Sequence, residues 1–501
     1  MQDRKERLKR NTVSSLVFQV TNIVCGFILP RLILARYGSE VNGLVGSITQ
    51  FLELIAFLEL GVGAVVQASL YKPLAVRDLN TVSRIASSAR RFFSKISLAL
   101  GLYTAGLLLV YPRFAGGFDR AYTGALILAI GVGTFAQYYL GLVDRLLLTA
   151  DQRGYVQYAA QTAALLLNTA ASAALIEWGA DIRTVKLSTA LIFLIRPMAL
   201  RLYVRRHYHI ERRSRAEEEP IRQKWNGIAQ HVSYYVLEKT DVIVLTLLST
   251  LKNVSVYSVY HMVIYGVKNL FLSLTYGVQA LMGELIAKEE TERLRELFDW
   301  TEWLLHTGTV FLFGCTGVLI LPFIQVYTSG INDANYQVPL FALLITLAHA
   351  GHCLRLPYDL LILAAGHFRQ TQRCHITAAL LNIAISVLTV KLWGLAGVAL
   401  GTLCAMAYQT VWMALYDSRH ILHVPIRGFW IHLLADGLTA LPAGLLCSRI
   451  SMRTVSVGAW LLLAAETAGL WALTAIGINW LFYREKIQRL AEKGLKKLKR
   501  S

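Results

Sequence analysis

The chain has 501 residues, 55% of them hydrophobic and 16% charged, with a mean hydropathy of +0.48. That balance excludes a soluble globular protein of this size. The formal charge of +19 would suit a nucleic-acid partner, but the basic residues gather in a few loops and at both termini without interleaved aromatics. They read as the positive-inside bias of a membrane protein, so no nucleic acid is expected.

A helix needs about 20 apolar residues to cross a bilayer, and the chain predicts fourteen such spans. They cover 12–36, 43–70, 93–111, 122–149, 155–178, 184–204 and 228–248, then 256–287, 300–327, 338–365, 371–393, 394–416, 429–447 and 455–482. The fold class is therefore all-α and polytopic. Residues 1–10 are basic, and the apolar run behind them reaches about Tyr37, too long for a signal peptide. With the N-terminus inside, the inner segments hold roughly thirty Lys and Arg against fewer than ten outside. Both termini are thus expected to be cytoplasmic, in the cell membrane.

Charges inside membrane spans are costly and mark functional candidates. In span 1, Arg36 sits near the outer boundary and is read as reaching the headgroups. Arg31 follows Pro30 about 7.5 Å deeper and is either a snorkelling or a cavity residue. Glu53 and Glu59 of span 2 are six apart and lie on different faces, so at most one faces a given cavity wall. Span 6 has Arg196 before Pro197, which predicts a kink. Arg196 then caps a freed carbonyl, binds cargo or reaches the inner headgroups.

Span 7 carries a polar stripe: His231, Tyr234, Glu238 and Asp241 step by three, four and three, with Lys239 about 100° away. It reads as a cavity wall or as a packed interhelical network. His349, His352, Arg355 and Asp359 repeat the spacing in span 10. There Arg355 either binds an anion or pairs with Asp359 four residues on. Lys268, Glu284, Glu302, His432, Asp436 and Glu466 are further charges in spans, without a pattern.

The charged segment 205–224 divides the chain into two lobes, 1–204 and 225–418. Residues 419–482 hold two extra helices, and 483–501 form a basic tail read as a helix on the inner leaflet. Gly61-Val62-Gly63-Ala64 matches Gly277-Val278-Gln279-Ala280, and Lys72 matches Lys288 at the same offset, which favours an internal repeat. The six cysteines form no Cys-x-x-Cys pair, so neither a disulfide framework nor a metal site is expected. Nucleotide-binding loops, dinucleotide fingerprints and hydrolase motifs are absent from the sequence, so no cofactor and no catalysis are expected. An H⁺ or Na⁺ gradient, the membrane potential or the cargo gradient remain as energy sources.

The residues also carry a resemblance. Arg36-Tyr37-Gly38, Asn42-Gly43-Leu44, Glu59-Leu60-Gly61-Val62-Gly63 and Leu70-Tyr71-Lys72-Pro73-Leu74 resemble the first two helices of Wzx-type polysaccharide flippases. These belong to the multidrug/oligosaccharidyl-lipid/polysaccharide (MOP) exporter superfamily. Thr240-Asp241, Ala364-Ala365-Gly366, Thr371-Gln372, Asn382, Ser386 and Gly394-x-x-Gly397-Val398-x-x-Gly401-Thr402 are similar to later stretches of the family. Ala378 departs from the glutamate that many relatives carry there.

The resemblance implies two six-helix lobes around a central cavity, with arginines holding the pyrophosphate of an undecaprenyl-linked oligosaccharide. It implies partners in the bilayer, the lipid-linked oligosaccharide and the glycosyltransferases and polymerase of its pathway. The two extra helices resemble those that form a lipid-tail groove in lipid II flippases. A cation-coupled multidrug exporter of the same superfamily is the rival reading, favoured by Glu53, Glu238 and Asp241 and opposed by Arg31, Lys239 and Arg355. A membrane polymerase or ligase is a further rival, opposed by the short outer loops.

Overall fold

The computed structural model describes residues 2–54, 57–208, 228–489 and 492; among them there is no strand. Most of the charged segment 205–224 and of the basic tail lies outside these residues. Twelve helical stretches among the described residues are long and apolar enough to cross a membrane, and the chain is a multi-pass membrane protein. Large apolar side chains face outward along the helices, among them Leu109, Leu388, Leu392 and Leu481, each more than 70% exposed. In a bilayer such positions meet lipid.

The fourteen predicted spans and the helices correspond in outline, with twelve stretches long and apolar enough to cross a membrane among the described residues, and the breaks have local causes. Helix α1 (Gln2–Leu54) is two arms joined at Gly38, whose φ of 82° suits glycine. Its first arm is span 1, and its second arm begins span 2, which α2 (Phe57–Ala75) continues. Asp78 then caps α3 (Leu79–Val110), accepting from the Thr81 amide and hydroxyl at 3.0 and 2.6 Å. Helix α4 (Arg120–Ala136) runs through a π-helical turn (Gln137–Gly141) into α5 (Leu142–Ala150), and α6 (Gly154–Glu177) follows. Span 6 is broken as its proline predicts: α7 (Ile182–Phe193) stops one turn before Pro197, which lies in the first turn of α8 (Ile195–His207).

Helix α9 (Ile228–Leu248) is span 7, and α10 (Leu251–Ala287) is span 8. There follow α11 (Thr291–Tyr327), α12 (Pro339–Ala365), α13 (Phe368–Trp393), α14 (Leu395–His420), α15 (Arg427–Cys447) and α16 (Val457–Phe482). Helix α12 ends on Gly366 in the left-handed region, φ 72°.

The chain forms two compact units, 1–258 and 259–501. In the first, α9 and the start of α10 pack on the second arm of α1. Asn42 Nδ2 donates to Ser255 Oγ at 2.8 Å, and the Ser47 and Thr246 hydroxyls are 2.7 Å apart. Gly43 lies so close to the Leu251 carbonyl that a Cβ would sit 1.8 Å from its oxygen. Small and hydroxyl residues at a helix seam are how membrane helices gain contact when lipid is as apolar as a side chain.

The second unit uses the same device. Ser386 donates to Asn382 Oδ1 at 2.9 Å, and a Cβ on Gly401 would meet Ser386 Oγ at 2.3 Å. The residues Asn382, Ser386, Gly397 and Gly401 are thus the packing seam of α13 on α14. Helices α15 and α16 dock on α11, where the Trp303 indole donates to Asn479 Oδ1 at 2.6 Å and His306 Nδ1 lies 2.7 Å from Asp436.

Candidate functional site

In the first unit Lys239 of span 7 is brought against Glu53 of span 2. Lys239 Nζ lies 2.8 Å from Glu53 Oε2, with Lys239 mostly covered and Glu53 half exposed. Asp241, 2% exposed, accepts from the Tyr257 hydroxyl at 3.0 Å. Glu238 is half-buried on the same helix. The side chains of His231 and Tyr234 lie outside the described ones. Arg31 is half-buried in the first arm of α1, and Arg36 is exposed. Arg196 reaches α6: the Gln161 amide oxygen, in the orientation that matches donors to acceptors, accepts from both terminal guanidinium nitrogens at 3.1 Å. With Arg145 and Pro197, Arg196 also lines a cavity of about 190 Å³.

In the second unit the span 10 stripe turns inward. Arg355 is 1% exposed. Its Nε donates to Asp359 at 2.9 Å, its Nη2 lies 2.9 Å from His352 Nδ1, and its Nη1 donates to Gln409 of α14. Of the two roles open to it, self-pairing with Asp359 is the geometry adopted. Lys268, fully buried, lies 5.8 Å from the Tyr265 ring centre, and His349 stands edge-on to His261.

A basic cavity of about 560 Å³ in the first unit goes beyond the sequence expectations. Arg90, Arg91 and Lys95 of α3 and Arg201 and Arg205 of α8 line it, with Ser87, Ser94 and Tyr139. Among the described residues, Asp144 of α5 is the one carboxylate in that lining, 3% exposed and bonded by Arg90 at 3.0 Å. Five cations against one acid leave the lining positive. At one edge Tyr208 donates to Asp151, and burial with that carboxylate pushes its hydroxyl pKa up. In the sequence these cations read as inner-loop or span-end charge. The available signal is the spacing of Arg91 with Lys95 and of Arg201 with Arg205, four residues each, which puts each pair on one helix face. Guanidinium groups in a concave, partly covered site suit a phosphate or diphosphate, which they bind through paired N–H groups.

No protein-family model and no curated protein sequence matches the chain. Solved structures do. A structure described as the lipid II flippase MurJ in an inward closed conformation aligns with a TM-score of 0.69 at 14% identity, covering 95% of this chain and 99% of that one. An inward-facing multidrug resistance MATE transporter of the MOP superfamily aligns with a TM-score of 0.58 at 14% identity, covering 82% of this chain and 98% of that one. A point mutant of the Vibrio cholerae MATE transporter VcmN aligns with a TM-score of 0.58 at 12% identity, covering 85% of this chain and 99% of that one. The chain thus shares its fold with these structures, over 95% of its length with the lipid II flippase and over 82 and 85% with the two MATE transporters.

Proposed function

We propose that the chain is a flippase that carries an undecaprenyl-pyrophosphate-linked oligosaccharide from the inner to the outer leaflet of the cell membrane by alternating access, for surface polysaccharide synthesis. The observation that supports this most is the basic cavity of Arg90, Arg91, Lys95, Arg201 and Arg205. A lipid diphosphate is an anion whose tail stays in lipid while its head needs a polar, cationic path. The extent of the fold likeness supports it too, since the match to a lipid II flippase spans 95% of the chain and those to MATE exporters 82 and 85%. On this reading Arg31, Arg196 and Lys239 hold the cargo head at successive stages. Glu53, Glu238 and Asp241 balance those cations or bind a coupling H⁺ or Na⁺. Glycosyltransferases and a polymerase supply and consume the cargo, and the termini lie in the cytoplasm.

A cation-coupled drug exporter is the second reading, supported by the buried Asp241–Tyr257 pair on the same fold. Binding to the purified protein separates the two. A lipid diphosphate should bind, and Arg201→Ala with Arg205→Ala should weaken it about 10- to 100-fold, the worth of one or two charge-assisted hydrogen bonds. Binding and vesicle uptake of a cationic dye, with no affinity for the lipid diphosphate, would reverse the order.

A further inference from the structure

The second unit holds a cavity of about 280 Å³ beneath the connection between α14 and α15. Its walls are largely apolar, with Phe298 of α11, Tyr358 of α12 and Phe429 of α15 arranged ring against ring, centroids 5.7 and 5.8 Å apart. Three carboxylates, Asp299, Glu302 and Asp417, and the guanidinium of Arg295 also line it. Asp417, in the last turn of α14, is 0% exposed, and neither of its carboxylate oxygens has a hydrogen-bond donor among the described residues.

The cations at the cavity are already paired: Arg295 belongs to the lining, and Lys486 holds the lining residue Asp299. Lys486 Nζ lies 2.8 Å from Asp299, and Arg295 donates to Glu292 at 2.9 Å and to the Leu422 carbonyl at 3.0 Å. Glu302 accepts the Tyr358 hydroxyl at 2.5 Å, with His432 Nε2 3.7 Å away.

A buried carboxylate without donors is costly, so a fitting ligand brings N–H or O–H donors and positive charge. A bare ion is too small, since liquid water occupies only about 30 Å³ per molecule. A hydrated ion would set its waters against apolar walls, and no group of three metal-ligating side chains occurs among the described residues. Aromatic rings beside carboxylates suit an organic cation. We propose that this cavity binds a primary ammonium group, its N–H donors on Asp417 and Glu302 and its alkyl stem against Phe298 and Phe429. A soluble amine and a phosphatidylethanolamine headgroup present the same chemistry. The site stands independently of the cargo assigned above.

Full-length protein in detergent is titrated with methylammonium and ethanolamine while thermal unfolding is followed, with tetramethylammonium as a cation that cannot donate. The primary amines should raise Tm and the quaternary one should not. Asp417→Asn should weaken the effect about tenfold, the loss of one charged hydrogen bond. Native mass spectrometry from vesicles of equal phosphatidylethanolamine and phosphatidylcholine reads the lipid arm. A Tm response without lipid preference assigns a soluble amine, and preferential retention of phosphatidylethanolamine assigns the headgroup. If neither amine moves Tm and both lipids are retained alike by the wild-type protein, the proposal fails. Should Asp417→Asn not fold, Glu302→Gln takes its place, and the wild-type arms decide regardless.

Discussion

Lys239 Nζ and Glu53 Oε2, 2.8 Å apart, tie α9 to the second arm of α1. An ion pair this exposed contributes about 1 kcal/mol or less to stability, so its substitution should leave the fold intact. On the proposed flippase reading, Glu53→Gln and Lys239→Ala should each lower export of lipid-linked glycan at near-normal protein levels. The exchange Glu53→Lys with Lys239→Glu should recover most of it. Surface polysaccharide and immunoblots measure both; an exchange that exports no better than the single variants removes the pair from the mechanism.

Arg355 should behave differently, being buried and bonded to Asp359, His352 and Gln409. Arg355→Ala removes three hydrogen bonds and leaves the half-buried Asp359 carboxylate without its guanidinium, and should cost about 2–3 kcal/mol. Reduced yield and a lower unfolding temperature in detergent are the expected readouts. Arg355→Lys should recover little, because an ammonium cannot serve three partners in one plane. Wild-type stability in Arg355→Ala would refute the structural role.

The hydroxyls of Ser47 and Thr246 are 2.7 Å apart across the α1–α9 seam. A disulfide needs sulfurs about 2.05 Å apart, so Ser47→Cys with Thr246→Cys should cross-link under mild oxidation. If this seam parts during transport, the cross-linked protein is inactive and reductant restores it. Full transport by a fully cross-linked protein would show that the seam stays shut throughout the cycle.

Orientation is checked by labelling. Asn332 and Glu289 are both exposed, in connections on either side of α11. With cytoplasmic termini, Asn332→Cys should react with an impermeant thiol reagent in intact cells, and Glu289→Cys only after permeabilisation. The reverse pattern inverts the topology.

The Asp78 cap carries a pH dependence. Hydrogen bonds from the Thr81 hydroxyl and amide hold its carboxyl below the usual range. A lowered folded-state pKa adds stability above the unfolded value of about 3.9, which is lost as pH falls through the folded value. Asp78→Ala should therefore unfold at a lower temperature than wild type at pH 7, with the gap closing below about pH 4. A gap that persists at acid pH would assign the effect to something other than the carboxylate.

The helices were legible in the sequence because their cause is local. Apolar runs of bilayer length, Pro197 and Gly38 set where each helix starts, bends and ends, and span 7 matches α9 residue for residue. Spacing likewise showed that Arg355 and Asp359 share a face. What spacing cannot give is the partner on another helix. Lys239 and Glu53 meet across 186 residues, and the basic cavity joins Arg90, Arg91 and Lys95 to Arg201 and Arg205. Asp417 reads as an inner-loop acid in the sequence, and only the closing of α11, α12 and α15 around it buries it. Periodicity fixes the direction of a side chain about its own axis, while its partner depends on how distant helices pack, and in lipid small residues such as Gly43 and Gly401 decide which helices approach closely enough.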